Sequence, residues 1–149
     1  MILYQLNEKI TSEAFIDILQ RSGLSERRPV DKPEIIDKMI QNANLLVSAR
    51  NKFGELVGIA RCITDYAYCC YLSCLAVDKA YQSQGIGKAL IKEILNAIDE
   101  ESSLLLLSAP GTENYYLKTG FEVASNAYLI RRGEPHKVAL GFFSGEYDD

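Results

Sequence analysis

Apolar and polar positions along the 149-residue chain change their spacing from one block to the next. Ile86, Leu90, Ile91 and Ile94 recur at intervals of three and four, which is helical spacing. A long helix is therefore predicted from about Gly85 to Glu100. The block before it consists of runs of apolar, β-prone residues separated by short polar breaks. This pattern is typical of strands joined by hairpin loops. The three predicted strands are Asn44 to Arg50, Leu56 to Thr64 and Tyr68 to Val77.

Shorter elements are predicted on either side of this block. Apolar spacing after Thr11 and after Asp31 and Pro33 predicts two amphipathic helices, with Gly23 ending the first and a loop between them. The remaining predicted elements are a first strand at Ile2 to Leu6, a strand buried on both faces at Leu104 to Leu107, a short helix at Thr112 to Thr119 capped by Thr112 and stopped by Gly120, and two strands at Phe121 to Val123 and Ala127 to Arg131.

The junction between the third hairpin strand and the long helix is a candidate anion site. Gly85 and Gly87 stand where the helix begins, and glycine allows a backbone conformation and a close approach that a Cβ prevents. The first amides of a helix have no partner within it, and with the helix dipole they attract an anion such as a phosphate. A plain glycine-rich turn is the alternative, and the two glycines alone do not decide between them.

Two other phosphate-binding motifs do not fit this junction. A P-loop needs Gly where Gln82 stands and Ser or Thr where Ala89 stands, although Lys88 matches. A dinucleotide fingerprint needs Gly or Ala where Leu90 stands. Neither of these nucleotide-binding motifs is present.

The composition fits one ordinary globular domain. At 149 residues the chain is long enough to bury a core without disulfides or a metal, and its 48% of hydrophobic and 24% of charged residues are ordinary proportions. A formal net charge of −4 argues against a nucleic-acid partner and leaves a small cationic substrate open. No run has transmembrane length and no leader pattern is found, so we expect a cytoplasmic protein without a membrane partner.

Cysteine and histidine usage argues against two further classes of site. Cys62, Cys69, Cys70 and Cys74 lie in one apolar region, and their spacing matches neither a zinc site nor a redox Cys-x-x-Cys pair. We interpret them as reduced, small apolar residues, with a reactive thiol as the alternative. His136 is the only histidine, and its place near the C-terminus argues against a hydrolase with a histidine base. No metal site is indicated.

Two motifs in fixed order narrow the interpretation. The first is Gln82-x-x-Gly85-x-Gly87, preceded by Leu75-Ala76-Val77-Asp78, and it resembles the coenzyme A-binding segment of the GNAT superfamily of N-acetyltransferases. The second, Tyr116-Leu117-Lys118-Thr119-Gly120-Phe121, looks like the Tyr-x-x-x-Gly-Phe signature of that superfamily and follows about thirty residues later. The resemblance extends from Met1 to about Arg131, and these two segments carry most of it.

The resemblance implies an α/β (α+β) fold of the GNAT type. We expect a mixed, mainly antiparallel twisted sheet of six to seven strands, flanked by about four helices, with a V-shaped opening where Val77 leaves its neighbour. Residues 1–132 are assigned to one acetyltransferase domain. Residues 133–149 are assigned to a C-terminal tail, which is either disordered or part of a dimer interface through Val138 to Phe143.

The resemblance also implies a site for acetyl-coenzyme A as co-substrate. Backbone amides of the glycine turn would hold the pyrophosphate, and a bulged strand edge would pair with the pantetheine arm. The Leu75 amide would polarise the acetyl carbonyl. The donor-binding residues implied are Leu75, Ala76, Val77, Gln82, Ser83, Gln84, Gly85, Ile86, Gly87 and Lys88.

The catalytic groups are less completely specified by the resemblance. Tyr116 matches the superfamily's general acid by position, and a core tyrosine is the alternative. Cys74 stands where the superfamily often has an acidic residue, which leaves the general base open; Asp65 and Glu113 are candidates. Arg27 and Arg28, between the first two helices, could meet an acidic group on the acceptor or could be exposed, solvated arginines.

The predicted function is transfer of an acetyl group from acetyl-coenzyme A to a primary amine, most simply on a small molecule. The alternatives are a non-catalytic acyl-coenzyme A sensor, which Cys74 favours, and an acetyltransferase of protein or peptide amines. The identity of the acceptor, the base and the oligomeric state, including a homodimer, stay open.

Overall fold

The structure is a computed structural model, and it describes residues 1–131. The chain divides into two compact units, Met1–Leu106 and Leu107–Asp149, and the second is described as far as Arg131. The predictions for the tail, including pairing through Val138 to Phe143, lie outside the described residues. The assignment of residues 1–132 to a single domain stays a prediction.

The order of helices and strands follows the predicted order as far as residue 118. In the first unit it is β1 (Leu3–Leu6), α1 (Ser12–Ser22), a 3-10 turn (Leu24–Arg27), α2 (Pro33–Asn42), β2 (Leu45–Arg50), β3 (Leu56–Thr64), β4 (Cys69–Val77), a second 3-10 turn (Lys79–Tyr81), α3 (Ile86–Ala97) and β5 (Ser103–Leu106). The described part of the second unit contains α4 (Glu113–Lys118).

The strands form one sheet in the order β1-β2-β3-β4-β5. The neighbours β1 to β4 are antiparallel, whereas β4 and β5 run parallel. The mixed, mainly antiparallel sheet is therefore confirmed. The expected number of six to seven strands is not matched, because the sheet of the described residues has five.

The two missing strands are those predicted at Phe121 to Val123 and Ala127 to Arg131. Residues 121–131 contain a turn at 125–126 and no strand. Val123, Tyr128 and Ile130 are exposed there. A strand is stabilised by a neighbour that pairs with its backbone, and no other described strand pairs with these residues, so their β-prone composition alone does not form one.

Two finer predictions are also wrong. The last strand is not buried on both faces: it alternates between exposed and half-buried positions, because it is the edge of the sheet and only four residues long. Thr112 precedes α4 but does not cap it, since its hydroxyl donates to the carbonyl of Ala109 at 2.6 Å. Gly120 does follow the helix with a left-handed φ of 104°.

The boundaries of α1 follow the sequence signals closely. The Thr11 hydroxyl accepts a hydrogen bond from the amide of Ala14 at 3.1 Å, as an N-cap residue does. Gly23 ends the helix with a left-handed φ of 86°, which a side chain would strain. A Cβ at Gly23 would also lie 3.0 Å from Cε of Lys79, so this end of α1 lies close to the segment that follows β4.

The helices of the first unit cover both faces of the sheet. Phe15, Ile18 and Ile36, from α1 and α2, form a core cluster with sheet residues that include Ile59. The adjacent Gly58 approaches α3, because a Cβ there would lie 3.1 Å from Ile86 and 3.3 Å from Leu90. Since neighbouring residues of a strand point to opposite faces, α3 packs on the face opposite to α1 and α2.

The turn between β3 and β4 depends on one carboxylate. Oδ1 of Asp65 accepts hydrogen bonds from the amides of Ala67, Tyr68 and Cys69 at 2.8–3.0 Å. These bonds, led by that of Cys69, favour the ionised form and lower the pKa of Asp65 to about 2.

We expect Leu90→Ala and Leu95→Ala to differ strongly in their effect on stability. Leu90 of α3 is fully buried, whereas Leu95, on the same helix, is 50% exposed. Truncation at Leu90 removes packed methyl groups and leaves a cavity, so it should lower the free energy of unfolding by about 2–5 kcal/mol. Truncation at Leu95 should change it by less than about 1 kcal/mol. Urea denaturation of both variants measures the difference, and equal losses would contradict this placement of α3.

Asp65→Asn should reduce the loss of stability in acid. The folded pKa of Asp65 is depressed, so its charge stabilises the fold above the unfolded pKa of about 3.9 and this contribution disappears as pH falls towards 2. Asparagine keeps the accepting oxygen without the charge. Thermal melts at pH 7, 5, 4, 3 and 2.5 should show a smaller fall for the variant than for the wild type. If the melting temperatures of the two proteins fall in parallel as the pH is lowered, the charge of Asp65 does not contribute to the acid dependence of stability.

Candidate functional site

The start of α3 presents amides without helical partners. The first hydrogen bond of the helix runs from the amide of Ala89 to the carbonyl of Gly85 at 3.0 Å, so the amides of Ile86, Gly87 and Lys88 have no acceptor within the helix. Gly85 is the N-cap residue and has no side chain to supply one. This helix terminus therefore has the chemistry of an anion site.

The backbone before the helix needs left-handed conformations. Ser83 has a φ of 66° and Gly85 a φ of 83°. No heavy atom lies within 4 Å of a Cβ built on Gly85, so this glycine is required by its backbone and leaves open space in front of the helix. Of the predicted donor residues in this segment, Gln82, Ser83, Gln84, Gly85 and Lys88 are exposed, whereas Ile86 and Gly87 are buried and can contribute only their backbones.

Two side chains hold the loop between β4 and α3. Nε2 of Gln82 donates to the carbonyl of Val77 at 3.0 Å, which ties the loop to the end of β4. The Tyr81 hydroxyl accepts from Nδ2 of Asn51 at 2.9 Å, which ties it to the hairpin between β2 and β3. The Gln82 motif was recognised from the sequence, but the contribution of Asn51 was not, because it comes from a distant turn.

A third attachment comes from α1. Arg21 donates to Asp78 at 2.6 Å and to the carbonyl of Leu56 at 2.7 Å. Asp78 in turn accepts from the amide of Ala80 and begins the second 3-10 turn. Burial alone would raise the pKa of Asp78, but the Ala80 amide and the Arg21 guanidinium outweigh it and lower this pKa. The segment leading into the loop is thus tied to both α1 and β3.

The second half of β4 has a free edge. β5 pairs with β4 from Cys69 to Leu72, where Leu72 lies opposite Leu106 and the pairing ends. Cys74–Val77 pairs with β3 on its other side, and no strand among residues 1–131 pairs with the free edge of Ser73–Val77. The opening was predicted where Val77 leaves its neighbour; it begins earlier, after Leu72, and Val77 stays opposite Gly58. Leu75, Ala76 and Val77 therefore lie on a strand that can accept a further extended chain.

The bulge implied by the resemblance is present on β4. Arg61 of β3 lies opposite Cys74, and the next residue, Cys62, lies opposite Leu72, so Ser73 is an extra residue on β4. The free edge starts at this bulge. The donor residues predicted on β4 and the bulge thus occupy one continuous stretch of strand.

Arg28 lies neither in solvent nor free for an acidic acceptor, contrary to both expectations for it. It is half-buried and donates to the carbonyl of Ser73 and to Sγ of Cys74 at the bulge. No sequence motif indicates this contact, because the two segments are 45 residues apart.

The other cysteines follow the sequence interpretation only in part, since Cys69 is exposed and does not fill the core. All four thiols are free, with Cys62, Cys70 and Cys74 buried and Cys69 exposed. Burial raises the pKa of Cys62 and of Cys70, so these thiols stay protonated at neutral pH. Among the described residues no group of three or more His, Cys, Asp or Glu side chains could hold a metal ion.

Tyr116 belongs to the second unit, in α4. Its ring packs edge to face on Tyr115, with centroids 5.2 Å apart, and on Phe121, with centroids 5.6 Å apart. These contacts explain why Phe121 follows Gly120 in the motif: the chain turns back and packs on the helix. The role of Tyr116 as general acid stays a prediction.

The candidate bases differ in their suitability. Oδ1 of Asp65 is occupied by three amides, and a pKa of about 2 makes this carboxylate a poor proton acceptor at neutral pH. Glu113 is exposed in the first turn of α4. In the part of the chain that is described, no helix is both long and apolar enough to cross a membrane.

Comparison with known proteins agrees with this arrangement. The family model of the acetyltransferase (GNAT) domain matches residues 18–136. An uncharacterized ycf52-like N-acetyltransferase of Prochlorococcus marinus is 29% identical over 109 residues, which are 70% of this chain and 58% of that protein. The chain spans about half the length of the curated relatives it matches.

Solved structures share the fold at low sequence identity. The GNAT family acetyltransferase SP0256 of Streptococcus pneumoniae superposes with a TM-score of 0.71 at 23% identity, covering 89% of this chain and 100% of that one. The GNAT family N-acetyltransferase YhbS of Escherichia coli, solved in complex with CoA, gives a TM-score of 0.63 at 21% identity, covering 81% of this chain and 68% of that one. The family model matches most of the chain, and the solved GNAT structures share its fold. The chain therefore belongs to the GNAT family of acetyltransferases.

Proposed function

We propose that this protein transfers an acetyl group from acetyl-coenzyme A to a primary amine of a small molecule by direct attack. The observation that carries the proposal is that two unpaired backbone surfaces, a strand edge and a helix terminus, follow each other along one segment. The free edge of Ser73–Val77 leads, through the loop, to the unpartnered amides of Ile86, Gly87 and Lys88. An extended pantetheine arm and a pyrophosphate need these two surfaces in this order.

The donor would be held mainly by backbone groups. The pantetheine amides would pair with the free edge at Leu75, Ala76 and Val77, and the pyrophosphate would accept from the first amides of α3. The exposed side chain of Lys88 adds a positive charge beside that site. The amide of Leu75 would donate to the acetyl carbonyl, where negative charge grows as the amine attacks.

The amine must lose a proton before or during the attack. An alkylamine with a pKa of about 10.4 is mostly charged at pH 7, and its neutral form costs about 4.6 kcal/mol. The amine nitrogen then bonds to the acetyl carbon, the carbon–sulfur bond breaks, and coenzyme A leaves as a thiolate. Asp65 is unsuitable as the base, so we assign the removal of the proton to water or to the remaining candidate, Glu113.

Tyr116 would protonate the departing thiolate. A phenol with a pKa near 10 gives its proton to a thiolate with a pKa near 8.5 at a cost of about 2 kcal/mol. Its contribution should therefore lie at the lower end of the range for general acids.

One observation favours a second candidate function, an acyl-coenzyme A sensor without turnover. Cys74 stands where the superfamily often places a carboxylate, and it is fully buried. A sensor would bind acetyl-coenzyme A and acetylate no amine. A coupled thiol-release assay over a library of amino acids, polyamines and aminoglycosides, each with acetyl-coenzyme A, separates the two functions.

Lys88→Glu should weaken the binding of acetyl-coenzyme A by about tenfold or more. The new carboxylate would stand at the start of α3, where an anion competes with the pyrophosphate and repels it. Lys38→Glu is the matched control, since Lys38 is also exposed and lies on α2. Titration calorimetry measures the dissociation constant of acetyl-coenzyme A for each variant. Equal affinities for the two variants would contradict the assignment of the pyrophosphate to this helix terminus.

Tyr116→Phe should lower kcat by about 100-fold and leave the dissociation constant of acetyl-coenzyme A within about threefold of the wild type. Tyr115→Phe removes the same hydroxyl from the neighbouring residue and should retain most of the activity. The comparison uses the best amine from the library. Loss of activity in Tyr115→Phe alone would show that Tyr115, and not Tyr116, is the general acid.

A further inference from the structure

Two arginines meet at the β4 bulge. Nε of Arg28 donates to Sγ of Cys74 at 3.1 Å, and another nitrogen of its guanidinium donates to the carbonyl of Ser73. Arg61 of β3 donates to the hydroxyl of Ser73 at 2.8 Å. The two arginines thus bind two side chains and one carbonyl of the adjacent residues Ser73 and Cys74, at the point where β4 loses its second neighbour.

The cluster is rich in positive charge, and within it Arg61 and Cys74 are buried whereas Arg28 is half-buried. Arg61 is 7% exposed, and its Nε has no hydrogen-bond partner among the described residues. Neither Arg28 nor Arg61 forms an ion pair with a carboxylate of residues 1–131. A buried guanidinium without an opposite charge nearby costs free energy. The remaining ionisable group of the cluster is the thiol of Cys74, and its thiolate would supply that negative charge.

Cys74 is suited to carry that negative charge. Burial alone would raise its pKa, but the charges and hydrogen bonds of Arg28 and Arg61 outweigh burial and lower it. In this respect Cys74 differs from Cys62 and Cys70, whose pKa values are raised by burial. The position that would hold a carboxylate in the superfamily thus holds a different group that can be anionic.

A bulge needs such contacts to keep one geometry. The extra residue of a bulge is left out of the ladder, so the peptides around it are oriented less firmly by strand pairing. Here the carbonyl of Ser73, which belongs to the Ser73–Cys74 peptide, is held by Arg28. The next peptide along the strand carries the amide of Leu75.

We propose that Arg28, Arg61 and Cys74 form a clamp that fixes the β4 bulge and thereby aims the Leu75 amide at the acetyl carbonyl. They are positioning residues, since Cys74 is fully buried and acts through the strand. The inference rests on the proposed function. Cys74 stands where the superfamily often has an acidic residue, and the proposal gives it a positioning role and not the role of a general base.

The test uses the carbonyl of bound acetyl-coenzyme A as its own reporter. A hydrogen bond to the acetyl oxygen weakens the carbonyl bond and lowers its stretching frequency. Isotope-edited infrared spectra with carbon-13-labelled acetyl-coenzyme A should show this shift in the wild type. In Arg28→Gln the frequency should return towards that of free acetyl-coenzyme A and kcat should fall about 10- to 100-fold, while the dissociation constant changes less than about threefold.

Two further variants separate positioning from general stability. Lys32→Gln removes the same charge four residues further along and should leave the spectrum unchanged. Arg28→Lys should restore part of the shift, since it returns the charge without the planar fork. If Arg28→Gln does not fold, the comparison is made with Cys74→Ser, which keeps the approximate size of the side chain and replaces the acidic thiol by a hydroxyl.

The ionisation of Cys74 is measured separately, without any acceptor. The difference in thiolate absorbance near 240 nm between the wild type and Cys74→Ser should titrate below the usual thiol pKa of about 8.5. A wild-type carbonyl shift that persists in folded Arg28→Gln or Cys74→Ser, or a Cys74 that titrates above 8.5, overturns the clamp. A wild type that does not bind acetyl-coenzyme A overturns the proposed function instead.

Discussion

The first unit is organised around a strand that changes its pairing halfway along. β4 has a neighbour on each side as far as Leu72, and beyond it pairs only with β3. A buried sheet normally satisfies both edges of an inner strand, because unpaired amides and carbonyls cost free energy unless water or a ligand bonds to them. The free edge of Ser73–Val77 is therefore the part of the sheet from which a ligand gains most.

The contacts around this edge keep it open and in place. α3 packs closely on Gly58, which lies opposite Val77, so the helix begins near the end of the same strand. Arg21 and Asn51 attach the connecting segment to α1 and to the β2–β3 hairpin. The strand end, the loop and the helix terminus are thus held by separate parts of the first unit, and no single element carries all of the site.

The sequence was informative where local chemistry determines the structure. Thr11, Gly23, Pro33 and Gly85 mark helix boundaries through their own backbone and side-chain preferences, and the structure places these boundaries within a few residues. The glycine motif located the helix terminus for the same reason. The strands predicted after Gly120 failed because strand formation depends on a neighbour, and the sequence of residues 121–131 carries no information about one.

The contacts of Arg21, Asn51 and Arg28 could not be predicted for a related reason. Each joins segments at least 30 residues apart, and an arginine or asparagine in a turn looks the same whether it is solvated or paired. Cys74 was noticed only as a departure from the superfamily pattern. Its surroundings, two guanidinium groups and a bulge, come from β3 and from the connection between α1 and α2, which the fold alone brings together.

The most direct test of the account is amide hydrogen exchange of the wild-type protein with and without coenzyme A. The free edge and the helix terminus should both gain protection, so exchange should slow in peptides that cover 73–77 and 85–89 and stay unchanged in the β1 and β2 strands. Slowing in both segments would establish that one ligand bonds to both unpaired backbone surfaces. Binding of coenzyme A without slower exchange in either segment would contradict the central claim, because the ligand would then be held elsewhere.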